Sequence, residues 1–310
     1  MKIIRGLGDI RKAPLANPVV TLGNFDGVHL GHQAIFKQVV ACAMETSGTS
    51  IVFTFEPHPL KVLAPLRSPR LLATFREKMA QIEATGMDVV LCAKFTPEFA
   101  SQNPEDFVKD ALVGSMGIKE LFVGHDYAFG KGRKGDITFL REAGKTYGFG
   151  VHVIGPVKVE GILVSSTKIR QLVMDGEVCL ASKLLGRPYS IEGTVITGHS
   201  RGRELGFPTA NITTPNELAP KEGVYAVTVE SEGRTYRGAA NIGKNPTFGD
   251  DAPSYEVHIL DYSGDLYGKF IKMKFIKRVR DEVKFKDVDE LVGQIAKDVE
   301  RVRAIFSDEA

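Results

Sequence analysis

Two histidines flank a single glycine near the start of the chain: His29, Gly31 and His32. Imidazoles at that spacing can do three things. They can cap and pack a helix start, which is the ordinary use of a lone histidine. They can supply two metal ligands, but no cysteine or further histidine stands nearby to complete a zinc set and no HExxH occurs, which disfavours that use. They can contact phosphate at a helix start, where unpaired N–H groups and partial positive charge already suit an anion. Gly23, Asn24, Phe25 and Asp26 lead into the pair and complete the string GNFDGVHLGH.

A strand and a helix must position these groups. The apolar run VVTL (19–22) reads as a buried strand that ends at Gly23. Beyond His32, the residues Ile35, Phe36, Val39, Val40, Ala43 and Met44 recur at helical spacing. Both imidazoles then sit at the carboxyl end of the first strand, where open α/β sheets bind ligands. The alternation continues with strand candidates at 50–55, 88–93, 120–123 and 151–154. Helices read at 74–86, with a Thr74/Glu77 capping box, from Asn103 onward, and from Asp136 to near Gly148. Two short helices follow, near 167–174 and 177–185. The pattern predicts an α/β half with a mainly parallel sheet and helices on both faces.

The pattern changes at Gly186, Arg187 and Pro188, which read as a linker between domains 1–185 and 186–310. Short strand candidates follow at 190–197, 224–230, 235–240, 255–260 and 270–276, separated by turn residues. They predict a small antiparallel barrel or sandwich. A helix over 289–306 closes the chain, with Leu291, Ile295, Val299 and Val302 as its apolar stripe.

Further polar segments should converge on the histidines, because strand ends cluster at one sheet edge. FEPHP brings Phe55, Pro57, His58 and Pro59; VGHDYAFG brings Asp126; VSSTKIR brings Ser165, Ser166, Thr167 and Arg170 to a helix start, a second place that suits an anion. Each alone would read as a capped loop. Gly130, Gly132 and Gly135 match GxGxxG, yet they do not directly follow a strand and basic residues lie between them, so they read as a basic loop and not as a dinucleotide fingerprint.

Behind a strand and before a helix, HxGH resembles the nucleotidyltransferase signature. GNFDGVHLGH, FEPHP, VGxDxxFG and SSTxIR together resemble the FMN adenylyltransferase module of bacterial bifunctional riboflavin kinase/FAD synthetases. GRELGFPTANI, GVYAV, NIGKNPTFG and EVHILD resemble the riboflavin kinase module. The resemblance implies an N-terminal Rossmann-like parallel α/β domain and a C-terminal kinase-like β-barrel with a closing helix. It implies two ATP-dependent reactions, riboflavin to FMN and FMN to FAD, with Mg²⁺ as cofactor. For the adenylyl step it implies His29 and His32 as catalytic residues on the phosphates, and nucleotide contacts from Gly23, Asn24, Phe25, Asp26, His29, Gly31, His32, Asp126, Ser165, Ser166, Thr167 and Arg170. Phe55, Pro57, His58 and Pro59 would form the flavin wall. For the kinase step it implies Glu256 as catalytic carboxylate, with Asp261 its rival on the same strand. Thr209 and Asn211 would be the Mg²⁺ ligands, and Gly198, Gly202, Gly206, Pro208, Thr209 and Asn211 would hold nucleotide. Arg278, Arg280 and Phe285 would hold flavin.

Composition sets the outer bounds. The chain has 310 residues, 43% hydrophobic and 25% charged, enough for two ordinary globular domains. A net charge of +2 gives no argument for nucleic acid or an acidic membrane surface, and no apolar run approaches membrane-span length. Three cysteines without metal spacing, and an N-terminus without an apolar signal core, predict a cytoplasmic protein. Its expected partners are small molecules, with flavoprotein acceptors of FMN and FAD as further candidates. Two rivals stand beside this reading: a nucleotidyltransferase acting on another phosphorylated acceptor, and a C-terminal half that binds flavin without catalysis.

Overall fold

In the computed structural model, which describes residues 1–12, 15–197, 205–244 and 253–308, the run VVTL forms a strand buried along its whole length. It is the second strand of a six-stranded parallel sheet. The strands are β1 (Lys2–Arg5), β2 (Val19–Leu22), β3 (Ser50–Glu56), β4 (Val89–Lys94), β5 (Glu120–Gly124) and β6 (Gly150–Ile154), in the order β1-β4-β3-β2-β5-β6. Alternate side chains go to opposite faces, as strand geometry requires. Val20, Leu22, Ile51, Phe53, Leu121 and Val123 pack with Leu112 and Leu140 in one core. Val19, Val52, Val90 and Phe122 pack in a second core with Ile35, Phe36 and Val39 of the helix Leu30–Glu45 and with Met79 and Ile82 of the helix Phe75–Glu83. Helices therefore cover both faces. A small hairpin of β7 (Lys158–Val159) and β8 (Ile162–Leu163) follows.

One expectation needs correcting. The strand carrying the histidine loop is not the first, because Lys2–Arg5 precedes it as the sheet edge beside β4. Only Ile4 of that segment is buried, so it carried no periodic signal. Other local signals act as their chemistry suggests. Asp136 accepts from the Phe139 N–H at 2.8 Å and caps the helix Ile137–Tyr147, which Gly148 ends in the left-handed conformation. The helix begun at Pro104 runs on into a π-helical stretch, Phe107–Val113.

The chain packs as two compact units, Met1–Arg70 with Phe75–Val164, and Leu71–Thr74 with Ser165–Ala310. The second is built on a closed antiparallel barrel of β9 (Tyr189–Ile196), β10 (Ala210–Thr213), β11 (Gly223–Ser231), β12 (Arg234–Lys244), β13 (Pro253–Ile259) and β14 (Phe270–Arg280), ordered β10-β13-β12-β11-β14-β9. Ile271, Met273 and Phe275 are buried at alternate positions of β14, as are Tyr255, Val257 and Ile259 of β13. Val302 and Phe306 of the closing helix Val288–Asp308 pack on Ala226 and Leu260. β10 was not among the strand candidates.

The composition break at 186–188 falls inside this second unit. The helix Val178–Leu185 buries Val178, Ala181, Leu184 and Leu185 and packs on β9 and β14, so packing joins it to the barrel. The segment Leu71–Thr74 belongs there too: the Leu71 N–H donates to Glu217 at 3.1 Å and the Thr74 hydroxyl to buried Glu192 at 2.6 Å.

Candidate active sites

The sheet order places a topological switch at β2. The chain leaves β2 for β3 and β4 on one side and returns to β5 on the other. Ligands bind at the carboxyl ends of strands at such a point. Three segments leave the adjacent strands β3, β2 and β5 there: FEPHP, GNFDGVHLGH and GHDYAFG.

The middle segment is tightly built. Phe25 (φ +51°), Gly27 (φ +78°) and Val28 (φ +38°) all occupy the left-handed region, which a β-branched residue rarely enters. A Cβ at Gly23 would lie 2.8 Å from the Phe25 ring, so the ring can fold back only over a glycine. That ring packs edge-on against His32 at 5.2 Å and tilted against Phe36 at 4.8 Å. His29 is the N-cap of the helix Leu30–Glu45, its Nδ1 accepting from the His32 N–H at 3.3 Å. The two imidazoles stack, with centroids 3.6 Å apart and planes 18° apart. A Cβ at Gly31 would stand 3.1 Å from the His29 ring, which gives the glycine of HxGH its reason: it leaves room for the stacked cap. Since Nδ1 of His29 accepts, Nε2 is the nitrogen available to carry a proton and donate. The capping use and the phosphate-donor use are therefore compatible in one residue.

The start of this loop is held from beneath. The Asn24 carbonyl accepts from the Thr54 hydroxyl and from the Lys78 ammonium, each at 3.2 Å, and Lys78 also donates to Thr54 at 3.2 Å. Neither Thr54 nor Lys78 was singled out from sequence. Lys78 sits beside Met79 in a short helix, where a lysine ordinarily marks the solvent face.

The flanking segments supply different surfaces. Phe55 is half-buried in an aromatic cluster, 5.4 Å from both Phe95 and Phe99 and 5.3 Å from Phe53. Pro57 follows a cis peptide bond, and His58 caps the short helix Pro59–Leu63 by accepting the Leu60 N–H at 3.2 Å. On the other side, Asp126 is exposed and its carboxylate lies over Gly124, 3.4 Å from where a Cβ would stand. Tyr127 stacks on Phe129, and burial pushes its phenol well up from the ordinary value. In the second unit Ser165 caps the helix Ser166–Met174 by accepting the Lys168 N–H at 3.2 Å, with Thr167 exposed and Arg170 half-buried.

The barrel carries a second candidate site. Thr209, Pro208, Ala210, Val257, Tyr262 and Leu266 are among the residues lining a cavity of about 450 Å³. Asn211 on β10 stands directly opposite Glu256 on β13, and Glu256 in turn opposite Asn241 on β12. Directly opposite residues share a face, so a carboxylate and two carboxamides form one polar row. Thr209 lies two residues before Asn211. Pro208 is tied by its carbonyl to His258 Nδ1 at 2.9 Å, and Gly206 turns with φ +83°. Gly198 and Gly202 lie outside the described residues.

Arg278, Arg280 and Phe285 are brought together differently from the expectation. Arg278 donates to the Glu222 carbonyl at 2.6 Å and to Asp281 at 2.7 Å. Arg280 grips the buried Asp298 through Nε and Nη2, at 2.9 and 2.7 Å to the same carboxylate oxygen, and lies over the Phe285 ring at 5.9 Å. Both guanidinia are engaged by the protein's own groups. Among the described residues, no three His, Cys, Asp or Glu side chains gather as a metal set, and no helix is long and apolar enough to cross a membrane.

Comparison with known proteins also finds two parts in the chain. The family described as FAD synthetase matches residues 12–168, and the family described as riboflavin kinase matches residues 185–306. A bifunctional riboflavin kinase/FMN adenylyltransferase of Escherichia coli strain K12 is 40% identical over 307 residues, covering 99% of this chain and 98% of that protein. Proteins of the same description from Haemophilus influenzae and Pseudomonas fluorescens are 38% and 39% identical, with coverage of 99% or more of each chain involved. A crystal structure described as a macrolide-efflux protein from Streptococcus pneumoniae superposes with a TM-score of 0.89 at 34% identity, over 98% of this chain and 99% of that one.

Proposed function

The chain belongs to the bifunctional riboflavin kinase/FMN adenylyltransferase family, and we propose which of its residues carry each reaction. The enzyme transfers a phosphoryl group from ATP to riboflavin, giving FMN and ADP, and an adenylyl group from ATP to FMN, giving FAD and pyrophosphate.

In the adenylyl step an FMN phosphate oxygen bonds to the α-phosphorus of ATP as the bond to the pyrophosphate oxygen breaks. The nucleophile is already anionic, so the protein must align it and absorb charge on the leaving group. His29 and His32 do this at the helix start, with Gly23, Asn24, Phe25, Asp26 and Gly31 shaping the loop beneath the phosphates. The observation that carries this reading is the stacked, capped histidine pair at the β2/β5 switch. Asp126 completes the nucleotide site within this unit, and Ser165, Ser166, Thr167 and Arg170, at the start of the helix Ser166–Met174, are further groups of a kind that binds nucleotide phosphates. Phe55 with its aromatic neighbours forms the flavin wall, and Pro57, His58 and Pro59 cover it.

In the kinase step the riboflavin 5′-hydroxyl attacks the γ-phosphorus and must lose a proton. Glu256 accepts it. Thr209 and Asn211 offer neutral oxygen donors two residues apart, a set suited to Mg²⁺, which takes few protein ligands and keeps waters and substrate phosphates. When bound, the ion neutralises phosphate charge. The cavity beside Thr209 and Pro208 takes the nucleotide, and Gly198, Gly202 and Gly206 are the glycines assigned to holding it. Arg278, Arg280 and Phe285 act on flavin indirectly, by fixing the chain ahead of the closing helix. The site of action is the cytoplasm, supported by three cysteines that form no disulfide, and the products pass to flavoproteins.

The reading is tested by incubating the protein with riboflavin, ATP and Mg²⁺ and separating the flavins over time. FMN should rise first and FAD follow. A Thr209→Val variant should need more Mg²⁺ than the parent to reach half its maximal kinase rate; an unchanged Mg²⁺ requirement removes Thr209 from the ligand set.

The kinase half should also work alone. A fragment 165–310 should phosphorylate riboflavin and leave supplied FMN unconverted. A shorter fragment, 187–310, loses Leu184 and Leu185, which are buried in the full chain. Each is worth roughly 1.5–3 kcal/mol of burial. It should melt several degrees lower with the same flavin specificity. FAD formation by either fragment would contradict the division of labour.

A further inference from the structure

A buried lysine needs an explanation. Lys78 lies in the helix Phe75–Glu83 beside Met79 and Ile82, and only 8% of it is exposed. Burying an ammonium is costly unless it is paired, and an apolar side chain of similar volume would serve packing as well or better. We propose that Lys78 is a positioning residue for FMN adenylylation: with Thr54 it grips the Asn24 carbonyl and so holds the left-handed turn that sets His29 and His32 at the helix start. This rests on the reading above that the two histidines contact the phosphates.

The contacts close into a triangle with consistent donor roles. The Thr54 hydroxyl spends its one proton on the Asn24 carbonyl and accepts from Lys78, while a second Lys78 proton reaches the same carbonyl, all at 3.2 Å. Asn24 is the residue immediately before Phe25, where the backbone enters the left-handed region. At the far end of the turn the Gln33 side-chain amide donates to the Val28 carbonyl at 2.8 Å, and the His29 cap begins. Non-glycine residues at such angles cost on the order of 1–3 kcal/mol each and persist only where their surroundings over-determine them. The turn is thus fastened at both ends, and Lys78 is the charged half of the first fastening. Burial draws its pKa down from the ordinary lysine value, and the neighbouring Cys92, Glu56 and Asp26 pull it back up.

The test uses the full-length protein and a Lys78→Met variant, which keeps length and volume and removes the donors. If the lysine only fills space, the variant should match the parent in FAD formation and melt at the same or a higher temperature. If it positions the turn, kcat for FMN adenylylation should fall about 10²-fold, the scale of a small misplacement of catalytic groups. KM for FMN should stay near the parent value, because Phe55 and its neighbours lie on other segments. The riboflavin kinase rate and the melting temperature should not fall. Lys78→Arg, which keeps a donor, should recover part of the rate. Thr54→Val should lower kcat in the same sense but less; it also decides the matter if Lys78→Met does not fold. Lys78→Met with kcat near the parent, or with both activities and the melting temperature lost together, overturns the proposal. His29→Ala and His32→Ala, run alongside, separate the two levels. If they are inactive while Lys78→Met is active, the phosphate site stands and the positioning role falls. If they are active, the phosphate reading falls and the positioning role with it.

Discussion

Replacing His32 with alanine should cut FMN adenylylation by on the order of 10²–10³ while riboflavin phosphorylation proceeds at the parent rate, since losing one transition-state donor is worth that much. The same should hold for His29→Ala, but that residue also caps a helix, and losing a cap costs about 1 kcal/mol. A fall in rate could then come from a frayed helix start. His29→Asn resolves this. Asparagine is among the best N-cap residues and can accept the His32 N–H that Nδ1 now accepts. It cannot replace the Nε2 donor. His29→Asn should therefore melt close to the parent and still fail to make FAD. Should it make FAD at close to the parent rate, His29 is a cap and no more. Equal loss of kinase and adenylyltransferase rates in a folded variant would show that the two sites are not independent.

The strand–loop–helix setting of the histidines was legible where side-chain type and local spacing alone define it. HxGH between a strand and a helix needs only the sequence, and so do the Asp136 cap and the Gly148 stop. The strands β2 to β5 were readable as short apolar runs because both faces are covered. What failed depends on distant partners. Lys2–Arg5 buries one side chain and becomes a strand only because β4 offers an edge. Ala210–Thr213 was not among the strand candidates, and it is a strand because β9 and β13 flank it. Gly186-Arg187-Pro188 has the composition of a linker, yet the preceding helix packs forward onto β9 and β14. Lys78 carried no signal at all, since its meaning lies in a carbonyl 54 residues away in the chain. Asp298 as the partner of Arg280 was likewise invisible, since charge can be read from a sequence and its distant partner cannot.

Glu256→Gln should lower the riboflavin kinase rate by about 10²-fold or more, within the usual range for a general acid–base group. A neutral alcohol is a poor nucleophile toward phosphorus, and glutamine keeps the size of the side chain and some of its hydrogen bonding but cannot take the proton. The position supports the role. Tyr255, Val257 and Ile259 are buried, so the alternation turns Glu256 to the other face of β13, opposite Asn211 and Asn241. On a shared strand, parity would turn Asp261, the rival carboxylate, to the face opposite Glu256. The strand ends at Ile259, and Asp261 lies beyond it with φ +56°, so that parity argument does not apply. A different reason excludes it. Both its oxygens accept from Arg303, at 2.9 and 2.6 Å, and this hydrogen bonding holds its carboxyl below the ordinary range, making it a weaker base. Asp261→Asn should then phosphorylate riboflavin at close to the parent rate. Conversion of supplied FMN to FAD should be nearly unchanged in both variants, because that chemistry lies at the histidine loop. A folded Glu256→Gln that retains the parent kinase rate, beside an Asp261→Asn that loses it, would exchange the two roles.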